Sequence, residues 1–267
     1  MTETNFVIIN SKFRNASSKS SSDFTYALGE SLEVSDIAVK SVSMVNAEYN
    51  VLQGKNTLVV NNGVVDFVFT VPVGQYDINQ LMAEIAAQIT LEYGGTNTLT
   101  LGATSKKVYF STTTPLQYGT DINSSPIGYM LGLGDTQFEY YPRDIPSSGF
   151  LAPYLPNLQG SNNYHISSAT LGQGQGSLLR NNDKRPIIMS VLNNVNFGEL
   201  INYEVNEIRL NQRHFSRPTN IQDIDIKILD DENNVVDLQG TNVEIVLQII
   251  KTSILPYSVQ GNNHQTY

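Results

Sequence analysis

Two stretches near the C-terminus decide the fold: Ile224-Asp225-Ile226-Lys227-Ile228, and Val243-Glu244-Ile245-Val246-Leu247-Gln248-Ile249. In each, aliphatic residues recur at every second position. A period of two belongs to an extended chain, whose successive side chains point to opposite faces. Each stretch therefore predicts a half-buried strand, and the turn-rich Asp230-Asp231-Glu232-Asn233-Asn234 between them predicts an antiparallel connection.

Further strands are predicted upstream of these two. The apolar run Pro186 to Leu192 and Tyr164 to Ala169 flank a Gly/Gln loop, Gly172-Gln173-Gly174-Gln175-Gly176. Leu99 to Leu101 and Lys107 to Phe110 predict two short strands. Thr57 to Val60 and Val64 to Val71 predict a hairpin through Asn62-Gly63, a dipeptide that tolerates the positive φ of a type I′ turn. Val65, Phe67, Phe69 and Val71 share one face of its second strand. Val34 to Val45 is rich in β-branched residues, and its alternation changes phase near Ser41, which predicts a bulge or burial on both faces.

One helix interrupts this pattern. Ile78, Leu81, Met82, Ile85, Ala86 and Ile89 form a single apolar stripe at helical spacing. Asp77 with Gln80 makes a capping box, Tyr76 can staple onto Leu81, and Gly94-Gly95 ends the helix. Residues 113–160 are rich in Gly, Pro and Tyr without a sustained period, which predicts a long surface insertion. Within it Ile127 to Gly134 predicts a docked helical turn.

The expectation is an all-β chain: one jelly-roll β-sandwich of about eight strands with one amphipathic helix and a loop-rich insertion, since no βαβ rhythm and no repeat occur. Its predicted layout is an N-terminal arm and loop over 1–33, the sandwich over 34–252 with the insertion at about 113–160, and a tail over 253–267. Immunoglobulin-like sandwiches use about 100 residues, so 267 fit a jelly roll with long loops better.

The chain carries a formal charge of −9, which argues against a domain that grips nucleic acid, because phosphate binding needs clustered Lys and Arg. No cysteine occurs, which removes disulfides and thiolate chemistry. The opening residues carry no basic n-region, and Phe6 to Ile9 is too short for a signal core or a membrane span, which predicts synthesis and folding in cytosol.

Catalytic patterns are sparse. His165, His214 and His264 are the only histidines, none at metal-ligand spacing from another. No Gly-x-Ser-x-Gly elbow supports a nucleophilic serine. Asp230-Asp231-Glu232 lacks the alternating ligands and central Gly of a calcium loop, so a solvated turn is expected there. Lys184-Arg185 with Arg209, Arg213 and Arg217 predicts a local basic patch facing a neighbouring subunit or solvent. Tyr129, Tyr140, Tyr141 and Tyr154 mark the insertion as a candidate surface for a glycan, a receptor or another partner. These patterns predict no enzyme, no cofactor and no metal.

Several segments in order resemble the minor capsid (penton, or vertex) family of virophages and polintons. Ile8-Ile9-Asn10-Ser11-Lys12-Phe13-Arg14, Phe24-Thr25-Tyr26-Ala27-Leu28 and Tyr49-Asn50-Val51 are similar to the opening of that family. Val73-Gly74-Gln75-Tyr76 before the helix looks like its Pro-Gly-x-Tyr step, with Val73 where Pro is usual. Ile127 to Leu133, Tyr164-His165-Ile166-Ser167-Ser168, Leu229-Asp230 and Val236-Asp237-Leu238-Gln239-Gly240 complete the series.

The resemblance implies a structural capsid protein of the virion, made in the host cytoplasm. It also implies an upright jelly roll, five copies closing a vertex and an insertion that projects outward. Neighbouring major capsid proteins would be contacted through terminal arms, with Phe6, Lys12 and Arg14 as candidate contact residues. Three other readings compete. A major capsid protein would need two sandwiches, which 267 residues do not hold. A carbohydrate-binding jelly roll would use the insertion aromatics. A cupin would need clustered His and carboxylate ligands.

Overall fold

A computed structural model describes residues 2–62, 64–113, 116–118, 126–134, 143–145, 149–172, 177–178, 184–205 and 212–252. In chain order the strands are β1 (Thr2–Asn10), β2 (Asp23–Val45), β3 (Thr57–Asn61), β4 (Asp66–Thr70), β5 (Asn97–Leu101), β6 (Val108–Thr112), β7 (Leu116–Tyr118) and β8 (Arg143–Ile145). They continue with β9 (Phe150–Leu151), β10 (Asn163–Ser167), β11 (Ser177–Leu178), β12 (Lys184–Arg185), β13 (Ile187–Leu192), β14 (Leu200–Glu204), β15 (Arg213–Leu229) and β16 (Val243–Thr252). Helix α1 (Ile78–Tyr93) precedes β5 and the short α2 (Pro126–Met130) follows β7. The chain is β-rich and antiparallel throughout its named pairs, with the sheets arranged as a sandwich.

Two compact units divide it: residues 1–47 with 161–267, and residues 48–160. The segment 113–160 belongs to the second unit together with residues 48–112.

The first unit is organised by β2. Residues 23–37 of β2 pair with β15 along one edge, and residues 36–44 pair with β16 along the other. Residues 41–45 pair with β14. Two wings result, β2-β15-β10-β13 and β1-β16-β2-β14, with β2 common to both. They share one core. Ile224, Ile226 and Ile228 of β15, Tyr164 and Ile166 of β10, Ile245, Leu247 and Ile249 of β16, and Val42 and Met44 of β2 are all buried in a single cluster. The expected phase change is a bulge: Val246 lies opposite Ser41 and Leu247 opposite Val39, so Lys40 is the extra residue.

At both ends the strands exceed the periodic stretches. β2 begins at Asp23, within the segment predicted as arm and loop, and β1 pairs with β16 over its whole length. Strand pairing supplied what local pattern did not, because residues 27–33 are mostly exposed and carry no apolar alternation.

The second unit holds the sheets β4-β3-β7-β8 and β5-β6-β9 around its own core. Helix α1 buries Leu81, Met82, Ile85 and Ile89 of the predicted stripe and leaves Ile78 and Ala86 partly buried, and its capping box is present: Gln80 N–H donates to Asp77 Oδ1 at 2.9 Å, and Asp77 N–H to Gln80 Oε1 at 2.9 Å. Gly94 follows at φ +71, a positive φ that glycine adopts without steric cost, and its N–H donates to the Thr90 carbonyl. Tyr93 stacks edge-on against Phe67 at 4.9 Å and donates to the Val60 carbonyl. Burial, aided by the nearby Glu92 and Asp66 charges, pushes its phenol up to about 12.

The hairpin register corrects the sequence expectation. Asn61 pairs with Asp66, so the loop spans four residues rather than the two of a type I′ turn. Asn62 Oδ1 accepts from both Val64 N–H and Val65 N–H at 3.0 Å, an Asx arrangement that absorbs two further residues. Gly63 lies outside the described residues.

Asn50 ties the ends of the second unit together. Its Nδ2 donates to the carbonyls of Tyr76 (2.8 Å) and Leu158 (3.2 Å), its Oδ1 accepts from Tyr76 N–H (3.0 Å), and its own N–H donates to Gln75 Oε1 (3.1 Å). Val51 and Gly74 form the adjoining antiparallel bridge. The side chain is nearly buried, so its removal strands three backbone groups away from water. Asn50→Ala is expected to lower stability by about 2–4 kcal/mol, read from urea unfolding. A loss below about 0.5 kcal/mol would contradict this role.

Candidate functional site

The candidate residues fall on different elements. Phe6 and Ile8 project from β1 and are 61% and 57% exposed, while their neighbours Val7 and Ile9 turn inward. Lys12 and Phe13 lie in the 3-10 turn Ser11–Phe13 that follows, and Arg14 caps it. Arg14 Nη1 donates to the Ser11 carbonyl at 2.8 Å, and Lys12 Nζ lies 5.9 Å from the Phe13 ring centroid. The turn is anchored by Ser11, whose Oγ accepts from Val243 N–H at 2.9 Å. Phe6, Ile8, Lys12, Phe13 and Arg14 thus form one exposed apolar and basic strip along β1 and its end.

The insertion tyrosines do not form a described platform. Asn157 Nδ2 donates to the hydroxyl of Tyr129 at 2.7 Å. Tyr154 is 42% exposed. Its carbonyl lies so close to Gly132 that a Cβ there would clash with it. Backbone packing therefore sets this segment, with Leu131 and Leu133 buried as the predicted docked turn. Tyr140 and Tyr141 lie outside the described residues.

The predicted basic patch is reduced. Arg213 Nη2 donates to the Ile187 carbonyl at 2.9 Å, which makes this arginine a brace between β15 and β13. Arg217 is exposed. Arg209 and the side chains of Lys184 and Arg185 lie outside the described residues.

The fold does assemble one grouping that spacing in the chain did not reveal. His165 and Ser190 are cross-strand partners on β10 and β13, with His165 Nδ1 2.7 Å from Ser190 Oγ. Asp231 Oδ1 lies 3.4 Å from His165 Nε2. Only knowledge of the β10-β13 register brings these residues together. Ser190 lies inside a strand, without the strand–turn–helix elbow that would aim backbone N–H groups at a tetrahedral oxyanion. Asp231 is already committed, accepting from Asn162 N–H (2.9 Å), Asn163 N–H (3.2 Å) and Asn163 Nδ2 (3.1 Å). Hydrogen bonds in this set hold the β10 entry to the turn after β15.

The other carboxylates of this region are committed in the same way. Asp230 is buried and accepts from Glu232 N–H, Asn234 N–H and Asn234 Nδ2, so the acidic turn is organised by its own backbone. Asp225 holds the loop after β10, accepting from Ala169 N–H and Thr170 N–H at 2.8 Å. His214 pairs with Asp36 across β15 and β2. Among the described residues no three His, Cys, Asp or Glu side chains gather as a metal site. One small cavity, lined by Ile37, Val39, Leu171, Ile188, Arg213 and Leu247, has a volume of about 10 Å³, room for no more than a water.

No protein-family model matches the chain, and no curated protein matches by sequence. Among solved structures, the crystal structure of the selenomethionine-labelled mavirus penton protein is similar, with a TM-score of 0.50 and 12% identity. The match covers 93% of this chain and 99% of that one. At this identity the likeness shows a shared fold. No helix among the described residues is long and apolar enough to cross a membrane.

The Asp225 contacts make a pH-dependent prediction. Burial alone raises this carboxyl, but hydrogen bonds from Thr170 and Ala169 outweigh it and hold the group below its ordinary 3.8. A lowered folded value means that ionisation stabilises the fold above the ordinary value, and that this stability is lost as pH falls through the folded value. Asp225→Asn is expected to cost about 1–2 kcal/mol at pH 7, discounted for the half-exposed position, with the difference from the parent chain shrinking below about pH 4. A cost unchanged down to acid pH would contradict the assignment.

Proposed function

We propose that this chain is a structural vertex subunit of an icosahedral viral capsid, closing as a ring of five copies in the virion. The observation that carries the proposal is the likeness of fold to the mavirus penton protein across nearly the whole of both chains. The composition of the surface supports it. Charged residues are only 15% of the chain, and among the described residues no element covers the exposed apolar side chains Phe6, Ile8, Phe13 and Leu200. His165, His214, Asp36, Asp225, Asp230 and Asp231 are tied into turns and strand pairs.

In this reading the subunit is made in the host cytoplasm and its partners are other copies of itself and neighbouring major capsid proteins. The strip around Phe6, Lys12 and Arg14 is a contact surface, and the segment 113–160 is the region free to vary toward a receptor or glycan. The function is assembly, with no reaction and no cofactor.

Light scattering of the purified full chain, paired with negative-stain imaging, tests this reading. The expected result is a particle of five times the chain mass that images as a five-fold ring. A monomer that persists to high concentration would contradict it.

A further inference from the structure

A cyclic ring places two different surfaces of the same subunit against each other, one from each neighbour. The wing β1-β16-β2-β14 presents two such surfaces, because β1 and β14 are its opposite outer strands. Their character is complementary. The β1 edge carries exposed Phe6, Ile8 and Phe13 with Lys12 and Arg14. The β14 edge carries exposed Phe197, Leu200 and Tyr203 with Glu199 and Glu204.

The ladder also places these groups at matching heights. Ile8 pairs with Val246, Val246 with Ser41, and Ser41 with Glu204, so Ile8 and Glu204 stand in one row. Asn10, Glu244, Ser43 and Asn202 form the next but one. Ser11 is joined to Val243, which pairs with Met44, and Met44 pairs with Ile201. Lys12 and Arg14 follow Ser11 in and after the 3-10 turn, and Leu200 and Glu199 precede Ile201, so both groups stand at the same end of the wing. Ile8, Leu200 and Glu204 also share the outward side of the sheet, opposite to the buried Ile9, Met44 and Ile201. When a ring axis runs parallel to the strands, rotation carries no rise and groups that meet across the ring share a row.

Local charges leave this complementarity in place. Glu204 is shared with Lys40 of β2 at 3.0 Å, and Glu244 accepts from Asn10 Nδ2. Among the described residues the Glu199 carboxylate accepts hydrogen bonds only from Asn196, and the residue is exposed. It therefore remains available to a cation of a neighbour.

We propose that the β1 edge of one copy seats on the β14 edge of the next, with Lys12 and Arg14 against Glu199 and the exposed aliphatic and aromatic groups of both edges buried between them. The occupant of each edge is thus a second copy of this chain. This placement rests on the ring reading above and adds to it which surfaces meet.

Charge reversal tests it on the full chain. Lys12→Glu with Arg14→Glu, and separately Glu199→Lys, are each expected to yield monomer by light scattering at concentrations where the parent chain is a ring. A chain carrying all three changes is expected to restore the ring, because both edges are reversed together. Leu200→Asp, at a position 58% exposed, is a second disruption that leaves the core untouched, and circular dichroism verifies that each variant is folded. Rings that persist in the single-edge variants and in Leu200→Asp would overturn this placement while leaving the ring itself standing. Failure of the triple variant to recover would overturn the charge pairing. A monomeric parent chain would overturn both the ring and the placement.

Discussion

The first unit depends on one strand having three partners. β2 runs 23 residues and pairs with β15, β16 and β14 in turn, so both wings of the sheet hang from it. A strand flanked on both sides satisfies its backbone groups without water, which allows the face it turns inward to be apolar without penalty. Its central residues Ile37, Val39, Val42 and Met44 are accordingly buried. Lys40 is the adjustment that makes this work: as an extra residue it restores the inward phase for Val42 and Met44 after Val39, and its ammonium reaches Glu204 and the Val205 carbonyl instead of entering the core.

What could be read from the chain alone follows from where burial is one-sided. β15 and β16 alternate because one face meets the core and the other meets solvent, and α1 carries its stripe and cap for the same reason. The first half of β2 lacks such a signature. Gly29, Glu30, Ser31 and Glu33 are exposed there, and only the pairing with β15 makes them a strand. β1 was hidden for a related reason, since an edge strand with Phe6 and Ile8 outward and Val7 and Ile9 inward reads as a short apolar run. The loop after β3 was misread because the Asn62 side chain, rather than the dipeptide it begins, sets the turn.

The residues proposed as contacts show the same division. Phe6, Lys12 and Arg14 were legible through resemblance, and the fold places them in one strip. The β14 edge was not legible, because Phe197, Glu199, Leu200 and Tyr203 have no motif and acquire meaning only from lying across the wing from β1. His165 and Ser190 meet through strand register, a relation that sequence separation conceals. Asn50 is intermediate: Tyr49-Asn50-Val51 and Val73-Gly74-Gln75-Tyr76 stood out as separate segments, and the structure shows that one side chain joins them.

In the proposed reading, a protein organised in this way uses its polar side chains to fix turns and its exposed edges to meet copies of itself. The central claim is that those copies stand at the vertices of a capsid. Immunogold labelling of intact purified particles with antibody against this chain measures that directly. The account predicts gold confined to the five-fold vertices; gold spread over the facets, or particles that lack the chain, would contradict it.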